Sequence, residues 1–311
     1  MIIEIDPKVD VVFHNLFGSP EHSGLTLSFV NSLLAKVGLP IAVELEICNP
    51  FLPAKFVNQK STTLDILYKD AQKRQIQLEM QMQSHAGLSQ RMLHNWSQVY
   101  QRQLLKGDSF HRHIPVISVW ILNESLFKDQ FWLHYFQCYD CQSRKVLHGD
   151  MNVVTVELPV WQKTPEAGLA TSLDYLGKWL YFLSKAKGME QEQLLNTLPE
   201  PEFSEAVELM SGFTKTEKLR HLYDQRENSE RMVNTWKEMG YMEGIQEGKQ
   251  EGKIEGKIEG KIEGKIEGKI EGKIEGKIED ARLMLADGMS VELVCKYTGL
   301  SRDDLKKAVL P

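Results

Sequence analysis

A layered fold of the α/β or α+β class is the architecture that this sequence predicts. Three observations carry it. Residues 75–83 alternate without a break, with Ile76, Leu78, Met80 and Met82 on one side and Gln75, Gln77, Glu79, Gln81 and Gln83 on the other. That is the period of a strand with one buried face. Residues 114–122 (IPVISVWIL) are almost wholly apolar, as expected of a central strand covered on both faces. Around these strands apolar residues recur at helical spacing, at Val12, Leu16, Leu25, Phe29, Leu33 and Val37, and again at Leu88, Met92, Trp96, Val99 and Leu104.

In chain order, residues 7–37 predict two helices divided by the breaker Gly18-Ser19-Pro20. Thr62 to Lys69 predicts a strand that hairpins into 75–83 through a turn carrying Asp70, Lys73 and Arg74. Leu88 to Leu105 predicts a helix with Gly107 as its cap. After 114–122, further strands are expected at 131–139 and 153–158. These elements place the sheet domain at residues 1–170. A helical subdomain follows at 171–242, then a repeat segment at 243–279 and a small helical hairpin at 280–311.

The repeat is EGKQ once and then EGKI seven times, ending at Ile278. A glycine in every unit costs about 1 kcal/mol each relative to alanine in a helix. Glu faces Glu and Lys faces Lys at i, i+4, which is unfavourable. A four-residue period also walks the Ile stripe around the helix by about 40° per unit, so no heptad seam persists. The segment therefore reads as a tether, helical at most weakly or with a partner's help. Beyond it, Ser290, Gly299 and Ser301 punctuate two short helices that resemble a helix-turn-helix fragment. A third packing helix is not evident there, and Asp303 and Asp304 balance Arg302, Lys306 and Lys307. Protein contact or oligomerisation is thus the favoured role over DNA binding.

The 311 residues carry 42% apolar side chains and a formal net charge of −6, so DNA binding cannot be argued from bulk charge. Cys48, Cys138, Cys141 and Cys295 are too few for a secreted disulfide scaffold. The first residues lack the basic and apolar regions of a signal peptide, and no apolar run approaches the roughly 20 residues that span a bilayer. The expectation is a soluble, cytoplasmic protein with no membrane partner. No HExxH, P-loop or GxGxxG is present. His134, Cys138, Cys141 and His148 have zinc-like spacing, but one Cys pair on a strand-turn-strand segment favours chance placement.

The hairpin carries the chemistry. With its turn centred near Gln72, Asp65 and Glu79 become direct cross-strand partners, about 4.5–5.5 Å apart at Cβ. Two like charges there are destabilising and raise one carboxylate pKa; a hard divalent cation reverses that penalty. Gln81 lies two residues on, on the face of Glu79, where its amide can orient a water or a phosphate oxygen. The same carboxylates also read as ordinary solvent-facing strand residues.

The pattern of Asp65, a short hairpin and then Glu79-x-Gln81 resembles the PD-(D/E)XK nuclease motif. The opening Asp10-Val11-Val12-Phe13 with Leu16-Phe17-Gly18, then Leu64-Asp65-Ile66, Gln77-Leu78-Glu79-Met80-Gln81, Arg91 and Tyr100, are similar to the recombination-promoting nuclease and transposase family of that superfamily. So are the 114–122 strand, Glu157-Leu158, Trp179-x-x-Phe182-Leu183, the Glu-Gly repeat and Thr298-Gly299-Leu300-Ser301. The resemblance spans nearly the whole chain, each motif weak and their order strong. It implies a restriction-endonuclease-like core, a central mixed sheet flanked by helices, and a metal-dependent DNA endonuclease. Asp65 and Glu79 would ligate Mg²⁺ (or Mn²⁺ or Ca²⁺), Gln81 would position water, and Asp10 would be an auxiliary acid. Arg91 and Tyr100 would touch phosphate, unless Arg91 is plain helix surface and Tyr100 plain packing. The superfamily usually carries Lys where Gln81 stands, and His14 occupies another position where Lys is common; glutamine hydrogen-bonds but cannot act as a base. DNA is the implied partner, with a homo-oligomer or an inhibitory protein expected at the C-terminal segment. The competing reading is a catalytically weak or inactive nuclease fold serving as a DNA-binding or oligomeric scaffold.

Overall fold

The computed structural model describes residues 1–48, 51–52, 62–168 and 172–308. The expected boundary at 170/171 and the expected last helical residue, Val309, lie outside them. The chain divides into two compact units, Met1–Arg231 and Met232–Pro311.

The first unit opens with α1 (Asp10–Phe17) and α2 (Ser23–Lys36), broken at Gly18-Ser19-Pro20 as expected. Strands β1 (Leu45–Cys48), β2 (Phe51–Leu52), β3 (Thr62–Thr63), β4 (Ile66–Asp70) and β5 (Gln75–Gln81) follow. Then come α3 (Leu88–Gln101), β6 (Val116–Leu122), β7 (Leu133–Phe136) and β8 (Met151–Glu157), and the short α4 (Leu158–Trp161). The main sheet has six strands in the order β1-β4-β5-β6-β8-β7. β5, β6 and β8 are parallel to one another, and the other pairings are antiparallel. This is the expected mixed sheet flanked by helices.

The hairpin register is the expected one: Ile66 opposes Leu78, Leu67 opposes Gln77 and Tyr68 opposes Ile76. The turn itself fixes it. Asp70 accepts from the Arg74 amide (2.8 Å) and from Arg74 Nε (2.6 Å), while Lys73 takes a positive φ of 66°. Three local expectations need correction. The strand expected over Thr62 to Lys69 is interrupted, because Thr63 pairs with β2 and the chain bends at Asp65 before β4 begins. Helix α3 ends at Gln101, six residues short of Gly107. And β5 is buried on both faces, not one. Its neighbours β4 and β6 put it inside the sheet, and α3 lies over its polar side.

The two faces differ. Ile66, Tyr68, Ile76, Leu78, Ile117, Val119, Ile121, Val154 and Val156 meet α1, α2 and the helices that follow residue 172 in one large apolar cluster. Those helices are α5 (Tyr175–Lys185), α6 (Gln191–Thr197) and α7 (Pro201–Lys215). They share the sheet's core, with Trp179 within 5.6 Å of Phe17 and Phe29 and 4.7 Å from Phe203 by ring centroids. On the other face α3 lays Leu88, Met92 and Val99 over Leu67, Val116 and Trp120.

Helix α8 (Glu217–Ala286) contains the entire repeat. The EGKI units are thus helical throughout, where the sequence favours a tether with at most a weak or partner-dependent helix. The helix gains an unbroken i, i+4 row of isoleucines, Ile254 to Ile274, each 46–58% exposed, against the glycine and like-charge penalties. Its last turns also change the view of the C-terminus. Ala281 of α8, Val294 of α9 (Val291–Thr298) and Leu305 of α10 (Arg302–Ala308) pack together. The third helix missing from the terminal segment is the end of the repeat helix, and Gly299 turns between α9 and α10 with φ 70°.

Two glycines predict opposite outcomes. A Cβ on Gly18 meets the His14 carbonyl at 2.6 Å and the His14 ring at 3.0 Å, so Gly18→Ala should destabilise by about 1–3 kcal/mol in urea unfolding. A Cβ on Gly264 meets nothing within 4 Å, so Gly264→Ala should raise helix stability by up to about 1 kcal/mol, read by circular dichroism on heating.

Candidate metal and nuclease site

On β5 the residues 77, 79 and 81 share the face toward α3, and on β6 the residues 118 and 120 share it. Glu79 pairs with Trp120 across the parallel ladder. Extending the hairpin register by one step sets Asp65 opposite Glu79. The two carboxylates are cross-bonded through the backbone. The Asp65 amide donates to Glu79 Oε1 (3.3 Å), and the Met80 amide donates to Asp65 Oδ2 (2.8 Å).

Glu79 is 1% exposed and is held by a buried polar relay. Trp120 Nε1 donates to Ser118 Oγ (2.8 Å), Ser118 Oγ to Gln77 Oε1 (3.2 Å), and Gln77 Nε2 to Glu79 Oε1 (2.8 Å). The relay orients one carboxylate oxygen and turns the other toward α3. There Arg91 places Nη2 at 3.5 Å from Glu79 Oε2 and donates from Nη1 to Gln81 Oε1 (3.0 Å). Its guanidinium lies 5.5 Å from the Trp120 ring, and its side chain keeps 40% exposure. Gln81 Nε2 donates to the Gln83 carbonyl (2.7 Å).

Burial is the first cause that pushes the Glu79 carboxyl up to about 8, and the neighbouring Asp65 charge is the second. Burial also raises Asp65, against the Met80 amide and Arg91, which lower it. Two carboxyls side by side, both raised in pKa, suit a cation. Asp10 lines the same hollow as Asp65, together with His14, Asn15 and Arg226. Arg226, from α8, is 3.3 Å from Asp10.

Of the residues singled out in the sequence, Asp65, Glu79, Gln81 and Arg91 meet, and Asp10 stands beside Asp65. Tyr100 is elsewhere. Its hydroxyl donates to Asp150 Oδ2 (2.7 Å), and burial with that bond pushes its pKa up to about 12. Asp150 directly precedes Met151, which is level with Val116 rather than Trp120. Five strand positions, roughly 16 Å, separate it from the level of Glu79. Sequence reasoning missed the relay through Gln77, Ser118 and Trp120, and missed Arg226. The alternation that flagged Glu79 also marks Gln77; nothing local marks Arg226. His148, of the zinc-like spacing, instead pairs with Asp150 (2.9 Å). Among the described residues no group of three or more His, Cys, Asp or Glu is gathered as for a metal, and no helix is long and apolar enough to cross a membrane.

The raised Glu79 pKa predicts a pH slope. Below about 4.5 the carboxyl is protonated folded and unfolded; between there and about 8 only the folded state holds the proton. Stability should therefore fall as pH rises through this window, and Glu79→Gln should flatten the fall. Urea midpoints at about pH 5 and about pH 8.5 decide it, and parallel pH curves for both proteins would contradict it.

Residues 7–239 match the model of the PD-(D/E)XK nuclease family transposase. Residues 275–309 match that of the C-terminal HTH domain of the Rpn/YhgA-like nuclease family, over the end of α8 together with α9 and α10. That match assigns the three-helix cluster to an HTH, the role ranked second from sequence alone. No curated protein and no solved structure matches the chain. The first match covers well over half of the 311 residues, and the chain belongs to the PD-(D/E)XK nuclease family transposases.

Proposed function

We propose that this chain is a divalent-metal-dependent DNA endonuclease that hydrolyses phosphodiester bonds at the Asp65–Glu79 pair. The observation that carries this reading is two opposed carboxylates on adjacent strands, both raised in pKa and one of them buried. Mg²⁺ fits two carboxylates with water completing its shell, and Mn²⁺ or Ca²⁺ shares the preference for oxygen. When bound, the cation lowers the pKa of a water and offsets charge on the phosphate.

The chain's own groups prepare the rest. Gln77 and the Asp65 amide fix Glu79 Oε1, and the Met80 amide fixes Asp65 Oδ2. Gln81 keeps one N–H and one lone pair beyond its two bonds, enough to hold an attacking water. Arg91, braced on Trp120 and partly exposed, offers guanidinium N–H groups to a phosphate oxygen. Asp10 is the auxiliary acid across the hollow. The water oxygen forms the new bond to phosphorus as its proton passes to solvent, the bond from phosphorus to the sugar oxygen breaks, and that oxygen takes a proton from solvent. The HTH unit supplies a second DNA contact. The exposed Met232, Trp236, Met239 and isoleucines of α8 offer a surface for a second copy or an inhibitory partner. Recombination, mobile-element movement and phage defence are the roles such an activity serves, in a cytoplasmic setting.

One observation favours the second reading, an inactive or weak nuclease fold kept as a scaffold. Both ends of Gln81 are already engaged, and Arg91 already stands as counter-charge to Glu79. Cleavage of supercoiled plasmid with Mg²⁺, Mn²⁺, Ca²⁺ or EDTA separates the two. The endonuclease should nick in a metal-dependent way. Asp65→Asn, which keeps an acceptor for the Met80 amide, should lose about 100-fold or more, as expected when several kcal/mol of charge stabilisation is removed. A folded wild-type protein that cleaves with no metal ion tested would leave the scaffold reading standing.

A further inference from the structure

At the other end of the strands that carry Glu79, four aromatic rings stack in a column. Trp96 lies on Tyr100 at 5.0 Å and 17°, Tyr100 on His113 at 4.0 Å and 11°, and His113 beside Phe110 at 6.4 Å and 13°. The first two rings come from successive turns of α3. The last two come from the short turn Phe110–Arg112 and the residue after it. Trp96 is anchored at its inner end, where Nε1 donates to the Val116 carbonyl (3.2 Å). The column ends on Phe110, which is 84% exposed and so leaves ring surface in solvent.

An open hollow beside the column is lined by Tyr100, Phe110, His111, His113, His148 and Asp150. Asp150 is nearly buried, and its carboxylate is fixed from two sides, by the Tyr100 hydroxyl on Oδ2 and by His148 Nδ1 on Oδ1 (2.9 Å). Two of its four lone-pair directions remain for a donor. His148 is 76% exposed, so its Nε2 is open to solvent. The imidazoles and the carboxylate are not gathered as metal ligands. A carboxylate in the hollow disfavours an isolated phosphate, and a flat aromatic wall beside fixed polar groups suits a flat ligand with a hydrogen-bonding edge.

We propose that this hollow binds an unpaired nucleobase, which stacks on Phe110 and turns its polar edge to Asp150 and His148. An exocyclic amino group donates to the carboxylate, and His148 Nε2, the acceptor once Nδ1–H is turned to Asp150, takes a second N–H of the same edge. Base-on-aromatic stacking is the general means of holding single-stranded nucleic acid without reading sequence. Trp96, Tyr100 and His113 are already packed ring on ring and anchored through Trp96, so the ordering left for binding falls mainly on Phe110. This rests on the nucleic-acid reading above but not on hydrolysis, because the hollow is at the opposite strand ends from Glu79.

The test is fluorescence anisotropy of a labelled single-stranded oligonucleotide with the full chain in EDTA, for wild type, Phe110→Ala and Phe110→Trp. Phe110 is too exposed for its truncation to unfold the protein, and circular dichroism checks this. Phe110→Ala should weaken binding roughly 5- to 150-fold, the loss of one base–aromatic stack, and Phe110→Trp should restore it. Displacement by free dAMP at millimolar concentration assigns the pocket to a mononucleotide; displacement only by a second oligonucleotide assigns it to a base within a strand. Equal affinity for wild type and Phe110→Ala, or no binding of single strands by wild type, overturns the proposal. Plasmid cleavage that persists while the Phe110 effect is absent sinks this site alone, and the reverse sinks hydrolysis alone.

Discussion

β5 runs through the middle of the sheet with Gln77 and Glu79 buried on a face that α3 covers. An ionisable group in that position cannot be left to solvent, and burying one without partners costs several kcal/mol. The surroundings answer this residue by residue. Ser118 and Trp120 on β6 exist on that face as a hydrogen-bond line ending on Gln77. The bend before β4 delivers the Asp65 amide to Glu79 and the Asp65 carboxylate to Met80. Arg91 comes down from α3 because that helix crosses the same face, stacked on the indole that begins the line. Each of these features has a reason only when Glu79 is fixed where it is.

The opposite face carries no such burden, and the energetics divide accordingly. Aromatic and aliphatic side chains from α1, α2, α5 and α7 fill it in one continuous cluster. The order in the polar layer therefore rests on an apolar layer one strand-thickness away. This is how the fold accommodates two carboxyl groups within hydrogen-bonding reach of each other's backbone.

How much of this was legible depends on the range of the information. The hairpin register could be read because its determinants, Asp70 and Arg74, sit within the turn itself. The 18–20 breaker and the apolar strand over 116–122 were equally local. The break in the first hairpin strand was not, since Thr63 is drawn to β2 rather than β5. The second buried face of β5 depends on β6 and α3, and alternation alone reports only the apolar side. Tyr100 fell on the right helix but nine residues beyond Arg91, about 13.5 Å along its axis, which takes it out of reach of Glu79. Arg226 reaches Asp10 from far along the chain, and no periodicity announces that. The terminal HTH was discounted for lack of a third helix because the repeat before it was not expected to be one. Ala281, at the end of that helix, completes the cluster with Val294 and Leu305.

The position of Arg91 has a consequence for traffic into the pocket. A guanidinium 3.5 Å from Glu79 Oε2 means that the acidic pair already has a resident positive charge, tethered by its own backbone and therefore always at high local concentration. A cation of the kind proposed would enter by exchange with that tenant rather than by filling a vacancy. A singly charged ion such as Na⁺ or K⁺ brings no more charge than it displaces and must also shed water, so it gains little. A doubly charged ion brings a surplus. Under the proposed function the arginine would act as a valence filter, built into the helix that roofs the sheet, and the guanidinium released by the exchange would be left free to meet an anion.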